Sequence, residues 1–117
     1  IAARAGIAAI EMIEQEDLLD AAKRLSEVFR TRLDELAAAC HVVKEVRIAG
    51  LMIGIELVVD GAPVVQACMD RGLLINCTVG NVLRFVPPLI VTEAEVDEAV
   101  AILDEVLAGV GPVEETK

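Results

Sequence analysis

The run from Val42 to Val59, VVKEVRIAG followed by LMIGIELVV, constrains the fold more tightly than any other part of the chain. Both halves are rich in Val and Ile and too short for helices, and Gly50 lies between them where a tight turn needs a residue without a Cβ. They read as a hairpin. The first half carries Lys44, Glu45 and Arg47 among its valines, so one face of the pair meets water while the other meets a core. Gly54 interrupts the second strand and marks a place where another backbone or a ligand comes close. Gly50 and Gly54 also spell GxxxG, which without a membrane span is only two turn or packing glycines.

What flanks the hairpin supplies its cover. Leu18, Ala22, Leu25, Phe29, Leu33 and Leu36 recur at helical spacing after a candidate cap at Asp17, leaving Lys23, Arg24, Glu27, Arg30 and Asp34 on the wet side. Before them, IAARAGIAAIEMI is helix-forming from Ile1, with Ile7, Ile10 and Ile13 three apart and no capping residue, and it reads as cut from a longer helix. Downstream, Asp60 and Pro63 open a third helix and Gly72 closes it. LLINCTV and VLRFVPP are two short strands about a turn at Gly80 and Asn81. TEAE at Thr92 is a capping box with Glu95 ahead of a helix whose apolar face is Val96, Ala99, Val100, Leu103 and Val106. Gly109, Gly111 and Pro112 end that helix. The pattern predicts one α+β domain over residues 1–110, a small mostly antiparallel sheet with helices packed on one face, and a frayed tail at 111–117.

Composition narrows the function classes. A net charge of -10 gives no Lys and Arg surplus for phosphate, and 2% aromatic residues provide no base-stacking platform, so nucleic acid and anionic membranes are not expected partners. No apolar run approaches the roughly 20 residues of a membrane span. With 56% hydrophobic residues and a mean hydropathy of +0.61, the chain is globular, and so apolar that a surface normally covered by a partner is expected. Cys40, Cys68 and Cys77 are scattered, with no CxxC, and His41 is the single histidine. That reads as a reducing, cytoplasmic compartment with no metal site, and as packing cysteines rather than a Cys–His nucleophile.

Arg84 is the candidate functional residue. In a strand it either leans into water, as most strand arginines do, or waits for an anion, since a buried unpaired guanidinium costs several kcal/mol. Its place at a strand end between Leu83 and Phe85, with Pro87 and Pro88 stiffening the exit, suits a carboxylate clamp. The planar guanidinium fork can hold both carboxylate oxygens. On the residues alone, a module that binds free amino acids without catalysis and a pure assembly domain remain open beside an enzyme.

IAARAGIAAIEMIE, GLMIGIEL and RGLLINCTVGNVLRFVPPLIVTEAEVDEA together resemble the C-terminal small domain of class III aminotransferases, the fold-type I enzymes that use pyridoxal phosphate. Within the class the likeness is greatest to acetylornithine and ornithine aminotransferases, and it covers the chain to about Leu107. The resemblance implies that Arg84, the arginine of LRFVPPL, binds the α-carboxylate of the amino-acid substrate. It implies an amino transfer from acetylornithine to 2-oxoglutarate in arginine biosynthesis, by a homodimer. The cofactor lysine, the aspartate facing the pyridinium nitrogen and the phosphate-binding residues belong to a preceding large domain. Lys23, Lys44 and Lys117 read as surface or tail, so this polypeptide alone is expected to be inactive. Where the family commonly has Arg-Gly-x-Gly, this chain has Arg47, Ile48, Ala49 and Gly50, which puts a special backbone conformation at Ile48 in doubt. Thr78 and Asn81 carry no expectation beyond turn chemistry.

Overall fold

The structure is a computed structural model in which residues 1–111 are described. Among the described residues four helices and four strands follow in the order α1 (Ala2–Gln15), α2 (Leu18–Ala39), β1 (Val43–Ala49), β2 (Met52–Leu57), α3 (Ala62–Met69), β3 (Asn76–Thr78), β4 (Val82–Phe85) and α4 (Glu93–Ala108). The strands form one sheet in the order β1-β2-β4-β3, and all its pairings are antiparallel. This is the α+β arrangement that the periodicities predict.

Gly50 makes the expected turn. Ala49 pairs with Met52, leaving Gly50 and Leu51 as a two-residue loop in which Gly50 takes φ 60, a value that a side chain disfavours. Ile48 stays in regular strand pairing opposite Ile53, so it takes no special backbone conformation.

Strand alternation sorts the sheet into two faces. Ile53, Ile55 and Leu57 of β2 and Leu83 and Phe85 of β4 are buried. They meet Leu25, Phe29, Leu33 and Leu36 of α2, Val64 and Cys68 of α3, and Val96, Leu103, Val106 and Leu107 of α4 in one core. Burying a side chain of this size stabilises by about 1.5–3 kcal/mol relative to leaving it in water, which is why the helices share one face. The other face holds Glu45 and Arg47, Gly54 and Glu56, Val82 and Arg84, and Asn76 and Thr78, and no helix of the described residues covers it.

The expected capping box is formed. Thr92 Oγ1 accepts from the Glu95 amide at 3.3 Å, and Glu95 Oε2 accepts from the Thr92 amide at 2.8 Å. Two local expectations are corrected. Asp17 precedes α2 but its side chain caps nothing; it takes a left-handed conformation (φ 49) that breaks α1 from α2, a role Asp tolerates better than most residues. Gly61, not Asp60, occupies the cap position of α3, and Asp60 Oδ1 instead accepts from the Ala62 amide at 3.2 Å as a short turn before the helix. Between β3 and β4 the positive φ values fall on Val79 and Gly80. Asn81 lies in the turn, as expected, and also binds Leu57: its carbonyl accepts from the Leu57 amide at 2.8 Å, and its side-chain amide donates to the Leu57 carbonyl at 2.9 Å. The tail expected to fray lies, for residues 112–117, outside the described residues.

Candidate functional site

The uncovered face of the sheet carries the candidate site because pairing register stacks four residues in a row across it. Arg47 on β1 is opposite Gly54 on β2, Gly54 is opposite Arg84 on β4, and Arg84 is opposite Asn76 on β3. Gly54 has no side chain to fill the middle of that row. The result is an open hollow of about 300 Å³ whose lining includes Arg47, Met52, Gly54, Thr78, Val82 and Arg84.

The two guanidinium groups that line the hollow differ in what they already hold. Arg47 Nη1 donates to Glu45 Oε2 at 2.6 Å and to Glu56 Oε2 at 3.0 Å. Glu56 also takes Lys44 Nζ at 2.6 Å on its other oxygen. Hydrogen bonding from Lys44 and then Arg47 holds the Glu56 carboxyl below its usual range. The charges of this network are therefore satisfied within the face. Arg84 is exposed and forms no ion pair among the described residues. Its Nε donates to Asn76 Oδ1 at 3.2 Å. That neutral bond fixes one edge of the guanidinium and leaves its charge uncompensated. A hydrogen-bonded guanidinium whose terminal nitrogens remain available is suited to a carboxylate, which binds in two parallel bonds.

Sequence reasoning named Arg84 but missed Asn76, whose partnership depends on a β3–β4 register invisible in a single strand. The other sequence candidates go elsewhere. Cys68 is buried in the core, where burial pushes its thiol up and makes it a poorer nucleophile. Cys40 and Cys77 are half-buried and His41 lies exposed after α2. Among the described residues no three His, Cys, Asp or Glu side chains converge as metal ligands would. Lys23 is exposed beside Asp20, and Lys44 is held by Glu56. Neither of these lysines lines the hollow, so the described residues do not offer it the amine to which pyridoxal phosphate attaches.

The four-stranded antiparallel sheet backed by helices is an α+β fold shared with solved aminotransferases. The chain belongs to the class III aminotransferase family, which matches residues 1–107. It is 45% identical over 109 residues to an acetylornithine aminotransferase of Caldanaerobacter subterraneus subsp. tengcongensis, covering 92% of this chain and 28% of that protein. The crystal structure of an acetylornithine aminotransferase from Elizabethkingia anophelis superposes with a TM-score of 0.83 at 27% identity, over 89% of this chain and 27% of that one. A phospholyase from Arthrobacter, solved in complex with phosphoethanolamine, gives a TM-score of 0.85 at 28% identity, over 92% and 28%. The chain thus spans little more than a quarter of the length of the relatives it matches.

Proposed function

We propose that this chain is the carboxylate-recognising part of a pyridoxal-phosphate-dependent aminotransferase, with Arg84 as the residue that grips the α-carboxylate of the amino-acid substrate. The observation that carries the proposal is the state of Arg84: exposed over the hollow, held at Nε by Asn76, and unpaired by any carboxylate of the described residues. The reaction proposed is transfer of an amino group from acetylornithine to 2-oxoglutarate, a step of arginine biosynthesis. Similarity to proteins named acetylornithine aminotransferase supports this choice. Both the donor and 2-oxoglutarate carry an α-carboxylate that a guanidinium can hold; in 2-oxoglutarate it adjoins the reacting carbon, whereas in acetylornithine the reacting amine is at the other end of the side chain.

When bound, pyridoxal phosphate supplies the electron sink for the amino transfer. Its lysine, its pyridinium partner and its phosphate site are assigned to a large domain outside this chain, and the 117 residues alone are then inactive. Arg84 contributes orientation: it fixes the carboxylate so that the reacting carbon arrives in one pose. The working enzyme is proposed to be a homodimer in the cytoplasm, a compartment in keeping with the three free thiols. No helix of the described residues is long and apolar enough to cross a membrane.

The test is steady-state kinetics of the complete enzyme carrying Arg84→Ala or Arg84→Lys, with this chain alone as a control that should show no transfer. Loss of a charged two-bond contact corresponds to about 2–5 kcal/mol, a fall in kcat/KM on the order of 30- to 5,000-fold for the amino-acid donor and for 2-oxoglutarate. Lysine should restore little, because an ammonium lacks the planar fork. A simple amine without a carboxylate should react as before. Unchanged kcat/KM for the amino acid would return Arg84 to the role of an ordinary surface cation.

A further inference from the structure

Gly54 sits in an inner strand, where glycine is a costly choice: it loses the most conformational freedom on folding and adds nothing to the packing of a pleated surface. Backbone geometry does not call for it, since Gly54 is not among the glycines with positive φ. Packing does not call for it either. A Cβ built at position 54 meets only Val82 Cγ1, at an ordinary 3.7 Å. Gly61 shows the opposite case, for a Cβ there collides with Cys77 Sγ. Nothing in the described part of the molecule gains from the missing side chain at 54.

What the missing side chain does is leave space. Gly54 is the direct cross-strand neighbour of Arg84 and lies in the floor of the hollow. Its neighbour on the other side, Arg47, is already occupied by Glu45 and Glu56, so the unfilled volume serves the one uncompensated guanidinium there. A local rule broken at some cost, with no local return, marks a binding position.

We propose that Gly54 is a specificity-determining residue of the Arg84 seat: the absence of a side chain at this position provides the room in which the carboxylate of an α-amino or α-keto acid lies against the guanidinium. The inference rests on the reading of Arg84 as a carboxylate clamp. Side-chain size at 54 then sets access for carboxylate-bearing substrates, while fold stability is untouched or improved.

The experiment compares Gly54→Ala, Gly54→Val and Arg84→Ala in the complete enzyme, measuring the thermal midpoint and the KM and kcat for the amino-acid donor, for 2-oxoglutarate and for a carboxylate-free amine. Gly54→Val should keep or raise the midpoint, since valine favours strands. It should raise KM for both acids by about tenfold or more, with Gly54→Ala between it and the wild type, and leave KM for the amine unchanged. Wild-type KM values for both acids in Gly54→Val overturn the inference, and so does an equal loss with the amine, which would give position 54 to domain assembly or the cofactor. If the valine variant does not fold, the alanine variant decides, because its Cβ has space: unchanged KM for both acids in Gly54→Ala then overturns the inference. If Arg84→Ala itself leaves KM for the acids unchanged, the clamp reading fails. If Arg84→Ala raises KM and the folded Gly54 variants do not, only the role of Gly54 fails.

Discussion

Gly61→Ala isolates one steric contact and predicts its cost. Gly61 is buried at the cap position of α3 with φ -82 and ψ -19, a conformation alanine adopts freely, so no backbone strain enters. By itself, replacing glycine with alanine there should stabilise by about 0.4–1 kcal/mol, through the unfolded chain. Against this, the new Cβ collides with Cys77 Sγ and comes within 3.4 Å of both Cys77 Cβ and Leu83 Cδ2. Leu83 is fully buried, and the overlap is relieved by turning the Cys77 side chain or by moving β3 or α3, at about 1–3 kcal/mol. The net expectation is a loss of about 0.5–2 kcal/mol. Cys77→Ala removes the colliding sulfur and leaves the two remaining contacts tight but tolerable. The double variant Gly61→Ala with Cys77→Ala should therefore lose less than the sum of the two single changes, by about 1 kcal/mol or more, as residues in direct contact do. Urea unfolding of the four proteins, followed by circular dichroism with a shared m-value, measures all these quantities. Additive losses, or a Gly61→Ala protein as stable as the parent, would refute the steric account.

Two further outcomes follow from the helix ends and faces. Hydrogen bonding to Thr92, backbone first and then side chain, holds the Glu95 carboxyl below its usual range, so its folded pKa is lower than its unfolded one. Its contribution is present above the unfolded value of about 4.3 and is lost as pH falls through the folded pKa. Thr92→Ala should cost about 1 kcal/mol at neutral pH and flatten the acid limb of a stability–pH curve; an unchanged limb would remove the box from the account. Separately, Ile7, Ile10 and Met12 of α1 are 47%, 60% and 50% exposed, and no residue of that helix is buried. The purified chain should self-associate through this face and Ile10→Glu should weaken the association; sedimentation showing a monomer at high concentration in the parent chain would refute this.

The fold was legible in the sequence wherever one side-chain period dominated. The α2 stripe, the hairpin about Gly50 and the Thr92–Glu95 box each combine a period with a local stop or start signal, and each forms as read. Reading failed where a polar side chain had two local options of similar energy. Asp17 suits an N-cap and also tolerates a left-handed φ, and the break between two consecutive helices requires the second. Asn81 forms the turn as read, but its side-chain bond to Leu57 of β2, 24 residues away, had no local signal. Such choices are made by tertiary contacts that no local window contains.

The candidate site divides in the same way. Arg84 was legible because a cation inside an apolar strand before two prolines is an anomaly in one dimension. Its surroundings were not, because they are a property of register. Moving β3 by one residue against β4 would turn Asn76 to the core face and leave Arg84 Nε without its partner, while every local propensity stayed the same. The same holds for Gly54, which the sequence marks only as a place of close approach. Its setting between a guanidinium already neutralised by two glutamates and one that is not exists only once β1, β2 and β4 are paired. Register on this sheet is fixed by the core face, through Ile53, Ile55, Leu83 and Phe85, none of which line the hollow except Ile53. A substitution that loosened those buried side chains would therefore misplace Arg84, Gly54 and Asn76 together, with no change to any of the three.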